Sequence, residues 1–148
     1  MTETDSFEAK LQRYKAAVAK TNALNKAAVF DALKAAGITN VAVGFDGEGD
    51  SGQIDGAAAH AGDVLVEFPL TVVSLHRTHF GSDEITTHEL PLREAVEELC
   101  YGYLEQQYGG WENNDGAYGE FTFDVAARRI ELDFNARFSD AVFYRHSF

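Results

Sequence analysis

The chain has 148 residues, 45% of them hydrophobic, with a formal net charge of -12. That length supports one hydrophobic core and excludes two of ordinary size, so a single domain over residues 1–148 is expected. No apolar run nears the roughly 18 residues of a membrane span, the first six residues lack the features of a secretion signal, and the single cysteine, Cys100, permits no internal disulfide; a cytoplasmic protein with no membrane partner is expected.

Periodicity places the elements in chain order. Phe7, Leu11, Tyr14 and Val18 recur at helical spacing, with Asp5 or Ser6 as N-cap, and Thr21-Asn22 is a point of interruption. A second helical stretch carries Leu24, Ala28, Phe30 and Leu33 and stops at Gly37, where a left-handed C-cap suits glycine. This N-terminal segment, 1–37, holds all five lysines and Arg13 against four acids, whereas 38–148 holds six arginines against 20 acids. Val41, Val43 and Phe45 alternate as a strand leading into the turn segment Asp46-Gly-Glu-Gly-Asp-Ser-Gly52, and Val64, Val66 and Phe68 alternate again. Val73 and Leu75 suggest another strand. Pro91 opens a helix with Leu92, Val96, Leu99 and Tyr103 as its buried stripe, closed by Gly109.

A second turn segment, Gly109-Gly-Trp-Glu-Asn-Asn-Asp-Gly116, leads into the clearest strand pair. Phe121, Phe123 and Val125 alternate with Glu120, Thr122 and Asp124, and Ile130, Leu132 and Phe134 alternate with Glu131 and Asp133. That pattern is a hairpin with one apolar and one acidic face. Val142, Tyr144 and His146 add an edge strand. The sum is an α+β domain, an antiparallel or mixed sheet with helices on one face.

Three motif matches fail on their chemistry. Gly47-Glu-Gly-Asp-Ser-Gly52 fits a dinucleotide fingerprint, yet no helix start follows it, and Glu48 and Asp50 would repel a pyrophosphate. Gly49-Asp-Ser-Gly52 looks like the nucleophile segment of trypsin-like proteases, but every histidine follows Ser51 where those enzymes place it before. Asp46, Glu48 and Asp50 start an EF-hand pattern that breaks at Ser51 and Ala57. An irregular cation site using Asp46, Asp50, Glu112, Asn114 and Asp115 competes with a purely structural turn. His60, His76, His79 and His88 lack zinc spacing, so no metal and no cofactor is assigned. Trp111 is expected as a partly buried anchor whose indole N–H finds an acceptor.

The carboxylates form the stronger pattern. Glu94, Glu97, Glu98 and Glu105 lie off the apolar stripe of the third helix with only Arg93 near them. Glu120 and Asp124 share a hairpin face with Glu131 and Asp133, and residues two apart on a strand are roughly 6.8 Å apart. Such rows offer negative charge to a basic groove as a phosphate backbone does.

The segments Phe45-Asp-Gly-Glu-Gly-Asp-Ser-Gly-Gln-Ile54 and Gly110-Trp-Glu-Asn-Asn-Asp-Gly-Ala-Tyr-Gly-Glu-Phe-Thr-Phe-Asp124 resemble the signatures of an uncharacterised family of short proteins from bacteria, plasmids and phages, a domain of unknown function. The resemblance covers residues 38–138, implies kinship of fold and a mobile-element setting, and transfers no catalytic residue; the basic helices look like a variable addition. The expected function is a non-enzymatic binding protein, an inhibitor from a phage or mobile element acting on a basic surface of a nucleic-acid-handling complex such as a CRISPR effector (anti-CRISPR-like), without binding nucleic acid itself. The alternative is a small metal-dependent or hydrolytic enzyme whose carboxylates gather where the two Gly/Asp-rich segments meet.

Overall fold

Thr21 and Asn22, expected to interrupt the first helix, lie inside one continuous helix, α1 (Phe7–Ala35). The Thr21 hydroxyl donates back to the carbonyls of Ala17 and Val18 at 3.0 Å. The Asn22 amide reaches across to the carbonyl of Gly102 (3.3 Å) and to Gln106 (2.7 Å). Polar residues that would otherwise compete with the helix backbone are thus satisfied elsewhere, and the helix runs through them.

The computed structural model describes residues 7–48, 51–79, 84–108, 117–136 and 142–148. After α1 come β1 (Asn40–Glu48), β2 (Ser51–Ala61), β3 (Val64–Val66), β4 (Val72–Thr78), β5 (Ile85–Pro91), α2 (Leu92–Tyr108), β6 (Ala117–Asp124), β7 (Arg129–Ala136) and β8 (Val142–Ser147). α1 stops as its glycine requires: Gly37 has φ 76°, its N–H donates to the Lys34 carbonyl, and the N–H of Ile38 reaches back to Leu33 at 3.0 Å. Pro91 closes β5 rather than opening the helix, and α2 begins at Leu92, whose N–H donates to the Thr71 carbonyl.

Six strands pair in the order β3-β2-β1-β6-β7-β8, antiparallel throughout the described residues, and β4 pairs with β5 as a separate ribbon. The domain is α+β. Two strands escaped the sequence reading. β2 is rich in glycine and alanine, poor strand formers, and is held by pairing with β1 on one side and β3 on the other. β5 alternates Thr, His and Glu and carries little apolar signal.

Val41, Val43 and Phe45, Phe121 and Phe123, and Ile130, Leu132 and Phe134 are buried on the side of the sheet covered by the helices. Phe30 of α1 packs on Phe123 with ring centroids 5.7 Å apart. Each such side chain contributes on the order of 2 kcal/mol through removal of apolar surface from water. The β4–β5 ribbon also lies against the helices, and Asn25 of α1 grips β4: its Oδ1 accepts the His76 N–H (2.8 Å) and its Nδ2 donates to the His76 carbonyl (3.0 Å).

Tyr103 of α2 stacks on Phe148 at 4.6 Å. Burial, with the neighbouring Cys100 adding to it, pushes its phenol from 10.0 up to about 12. The folded state therefore resists forming a phenolate that the unfolded chain forms near its ordinary pKa. The stability Tyr103 contributes is complete below about pH 10 and is lost as pH rises to about 12. Tyr103→Phe is expected to move the alkaline unfolding midpoint upward, followed by absorbance at 295 nm. Phenolate formation by Tyr103 near pH 10 in the still-folded protein would contradict this.

Candidate functional site

Alternation along β1, β6 and β7 sends the residues between the core positions to the opposite side of the sheet, which no described helix covers. Register fixes what meets there. Glu120 lies directly across from Asp133, Thr122 from Glu131, Asp124 from Arg129, and Tyr118 from Asn135. On the other flank Glu120 neighbours Gly44, Thr122 neighbours Ala42, and Asp46 neighbours Tyr118. The face thus joins a ridge of carboxylates on β6 and β7 to a low floor on β1. A Cβ built on Gly44 meets nothing within 4 Å.

The charges are only partly compensated. Arg145 of β8, across from Asp133, donates from Nε to Oδ1 at 2.7 Å and from Nη2 to Oδ2 at 3.5 Å. The hydrogen bond to Asp133 and the charge behind it raise the Arg145 pKa further. Arg129 approaches Glu131 at 3.6 Å, and Asp124 accepts the Ala127 N–H at 3.1 Å within the β6–β7 turn. These contacts are exposed and individually weak. Like charges directly opposite on paired strands oppose folding, and Arg145 on Asp133 already offsets part of the repulsion between Glu120 and Asp133.

The helix carboxylates do not extend this surface. α2 packs on the other side of the sheet, so Glu94, Glu97 and Glu98 cannot act together with Glu120, Asp124, Glu131 and Asp133 on a flat partner. Two of them have cationic neighbours: Glu97 meets Arg93 at 3.5 Å, and Glu98 meets Arg77 at 2.5 Å and is also hydrogen-bonded to His88 (2.6 Å) from the ribbon. His88 Nε2 lies 2.6 Å from Glu98 Oε2 and 3.1 Å from Arg77 Nη2, while its Nδ1 is buried and without a partner among the described residues. The Glu105 side chain lies outside the described residues.

Asp46 sits partly buried on β1. Asp50, Trp111, Glu112, Asn114 and Asp115 lie outside the described residues. The strand ends that carry the two Gly/Asp-rich segments do come together, because Gly47 pairs with Ala117 and Asp46 with Tyr118. Among the described residues, no group of three or more His, Cys, Asp or Glu side chains is placed to hold a metal ion. Sequence reasoning missed Arg145 and the bare floor at Ala42 and Gly44. The signal for the floor was present, since these two residues alternate with Val41, Val43 and Phe45.

A family model described as "Family of unknown function (DUF6878)" matches residues 21–148. No curated protein and no solved structure matches the chain. The matched region takes in the second half of α1, so the basic segment is not wholly an addition, and only residues 1–20 fall outside it.

Proposed function

Because the chain belongs to this family of unknown function, we propose from its own surface that it is a non-enzymatic binding protein whose open sheet face receives a basic protein surface. The observation that carries this is the facing of Glu120 and Asp133 across β6 and β7, flanked by Glu131 and Asp124. A basic partner gains from the negative charge that Arg145 and Arg129 leave uncompensated and relieves the repulsion that remains. The rows they form also fit a surface that ordinarily grips phosphates, so the partner class is a nucleic-acid-handling complex, a CRISPR effector being one such case, and the setting a bacterial mobile element or phage.

Replacing Glu120, Asp124, Glu131 and Asp133 together by Lys tests the reading. The wild-type chain is expected to be retained at low salt on an immobilised nucleic-acid-handling complex stripped of its nucleic acid, and to be displaced when nucleic acid is added. The four-lysine variant, with an unchanged far-UV circular dichroism spectrum, should pass through. Retention of the variant, or retention indifferent to salt, rejects the face.

The convergence of Asp46 and Gly47 with Tyr118 and Ala117 favours a second reading, a small metal-dependent or hydrolytic enzyme at that end of the sheet. Divalent metal co-purifying with the wild type and lost in Asp46→Asn would favour it over the binding protein.

A further inference from the structure

Every lysine of the chain lies on α1, and no residue in the first half of that helix is fully buried, although Leu11, Tyr14 and Val18 are half-buried beside Gln106 of α2. Lys10, Lys15 and Lys20 are exposed there, Arg13 adds a fourth cation, Glu8 is the one acid of residues 7–20, and the first buried residue of the helix is Thr21. The region matched by the family model begins at the same residue. The result is a basic arm on an otherwise acidic molecule.

This arm cannot lie on the acidic face of its own chain. α1 is unbroken over 29 residues, about 44 Å at 1.5 Å per residue. Its second half is fixed on the helix-covered side of the sheet by Asn22 on α2, Asn25 on β4 and Phe30 on Phe123. A continuous helix held there has no bend with which to pass round the sheet edge.

A second copy has no such restriction, and its open face is complementary in charge. Glu120, Asp124, Glu131 and Asp133 outweigh Arg129 and Arg145, and beside them Ala42 and Ala58 pair with each other, so that side chains no longer than a methyl line that part of the floor. A helix can approach closely where the sheet is low, with Lys10 and Lys20, about 80° apart around the helix, turned toward the carboxylate ridge and Lys15 on the far side. We propose that the lysine-bearing first half of α1 docks on the open sheet face of a second copy of the chain.

This inference rests on the reading of that face as a receptor for basic surfaces, and it names one occupant. Because arm and receiving face lie on opposite sides of the sheet, the contact is head-to-tail and adds copies in a ring or an open chain. The net charge of -12 on each copy opposes association over long distances. At about 0.15 M salt the screening length is about 8 Å, so the local contact between arm and face outweighs the distant repulsion; near 1 M the local contact is screened as well.

The test is a charge swap in the full chain. One variant carries Lys10→Glu, Lys15→Glu and Lys20→Glu; the other carries Glu120→Lys and Glu131→Lys. Sedimentation velocity at about 0.1 mM protein and about 0.15 M salt reads association. The wild type is expected to associate and to dissociate near 1 M salt. Each variant alone should be monomeric, since one has an acidic arm and an acidic face, and the other a basic arm and a basic face. Mixed in equal amounts they should associate again, because each arm then meets a face of opposite charge. A monomeric wild type overturns the proposal, as does a wild type whose association survives either swap, or a mixture that stays monomeric. A monomeric wild type whose arm instead retains duplex DNA gives the arm a different occupant and also overturns it. Failure here leaves the broader reading of the face standing if the four-lysine variant still loses the immobilised complex, so the two can fail separately.

Discussion

Gly119→Ala is expected to cost on the order of 3 kcal/mol of stability, lowering the melting temperature by about 10 °C. Gly119 lies in β6 between Phe45 of β1 and Phe134 of β7. A Cβ built there falls onto the main-chain carbonyl oxygen of Asp133, far inside van der Waals contact, and 2.9 Å from Cζ of the Phe45 ring. The ring could tilt. The carbonyl cannot, because it is part of the β7 backbone paired with β6. A single methyl therefore forces these two strands apart at the centre of the sheet, beneath Phe45, which is itself buried, tilted against Phe121 and stacked on Phe134. Thermal melts followed by circular dichroism decide the matter, and an unchanged melting temperature would mean that the strands are not this close at Gly119.

Asn25→Leu is expected to have an effect of similar size by a different route. Leucine keeps the branched shape of asparagine, with somewhat greater bulk, but leaves both the N–H and the carbonyl of His76 without the partners they now have in the Asn25 amide. Each part-buried peptide group left unsatisfied costs about 1–3 kcal/mol. Because α1 and the ribbon meet at this residue, the loss should appear first as local opening of β4 and β5. Exchange of the His76 amide with solvent is expected to accelerate about a hundredfold. Asn25→Asp keeps an acceptor for the N–H and should fall between. If the His76 amide exchanges at the same rate in Asn25→Leu, the amide pair is not what holds the ribbon.

Much of this fold was legible in the sequence where side-chain period and burial coincide. Phe121-Thr-Phe-Asp-Val125 and Ile130-Glu-Leu-Asp-Phe134 announce a strand pair with one wet face, and the structure pairs Phe121 with Leu132 as that pattern requires. The β6–β7 turn was legible in position but not in conformation. Arg128 adopts φ 52°, unusual for a side-chain-bearing residue, and is held there by Asp31, the Ala27 carbonyl and the Phe30 ring, all on α1. Such long-range anchors leave no trace in local sequence. Asn22 helped to make the Thr21-Asn22 pair read as an interruption, since its hydrogen-bond partners lie on α2, whereas Thr21 turns its hydroxyl back onto the carbonyls of its own helix. β2 was hidden because Gly56-Ala-Ala-Ala59 owes its extended form to neighbouring strands rather than to its own propensity. The acidic character of the candidate face followed from alternation alone. Its separation from the carboxylates of α2 did not, because strand order and helix placement decide it.

The strand order has a further consequence for how the molecule assembles itself. β1, β2 and β3 form one meander and β6, β7 and β8 another, and within each meander the strands that pair are close along the chain. Only the β1–β6 seam joins them, and there Gly47 meets Ala117, 70 residues later. Closing so long a loop costs about 2–3 kcal/mol more entropy than closing a tight hairpin. The meanders can therefore form early and independently, whereas the seam, with Phe45 seated over Gly119, becomes rewarding only once the intervening ribbon and α2 are in place. The seam is then the late step of folding and the first point of rupture, and disturbing it hastens unfolding far more than it slows folding.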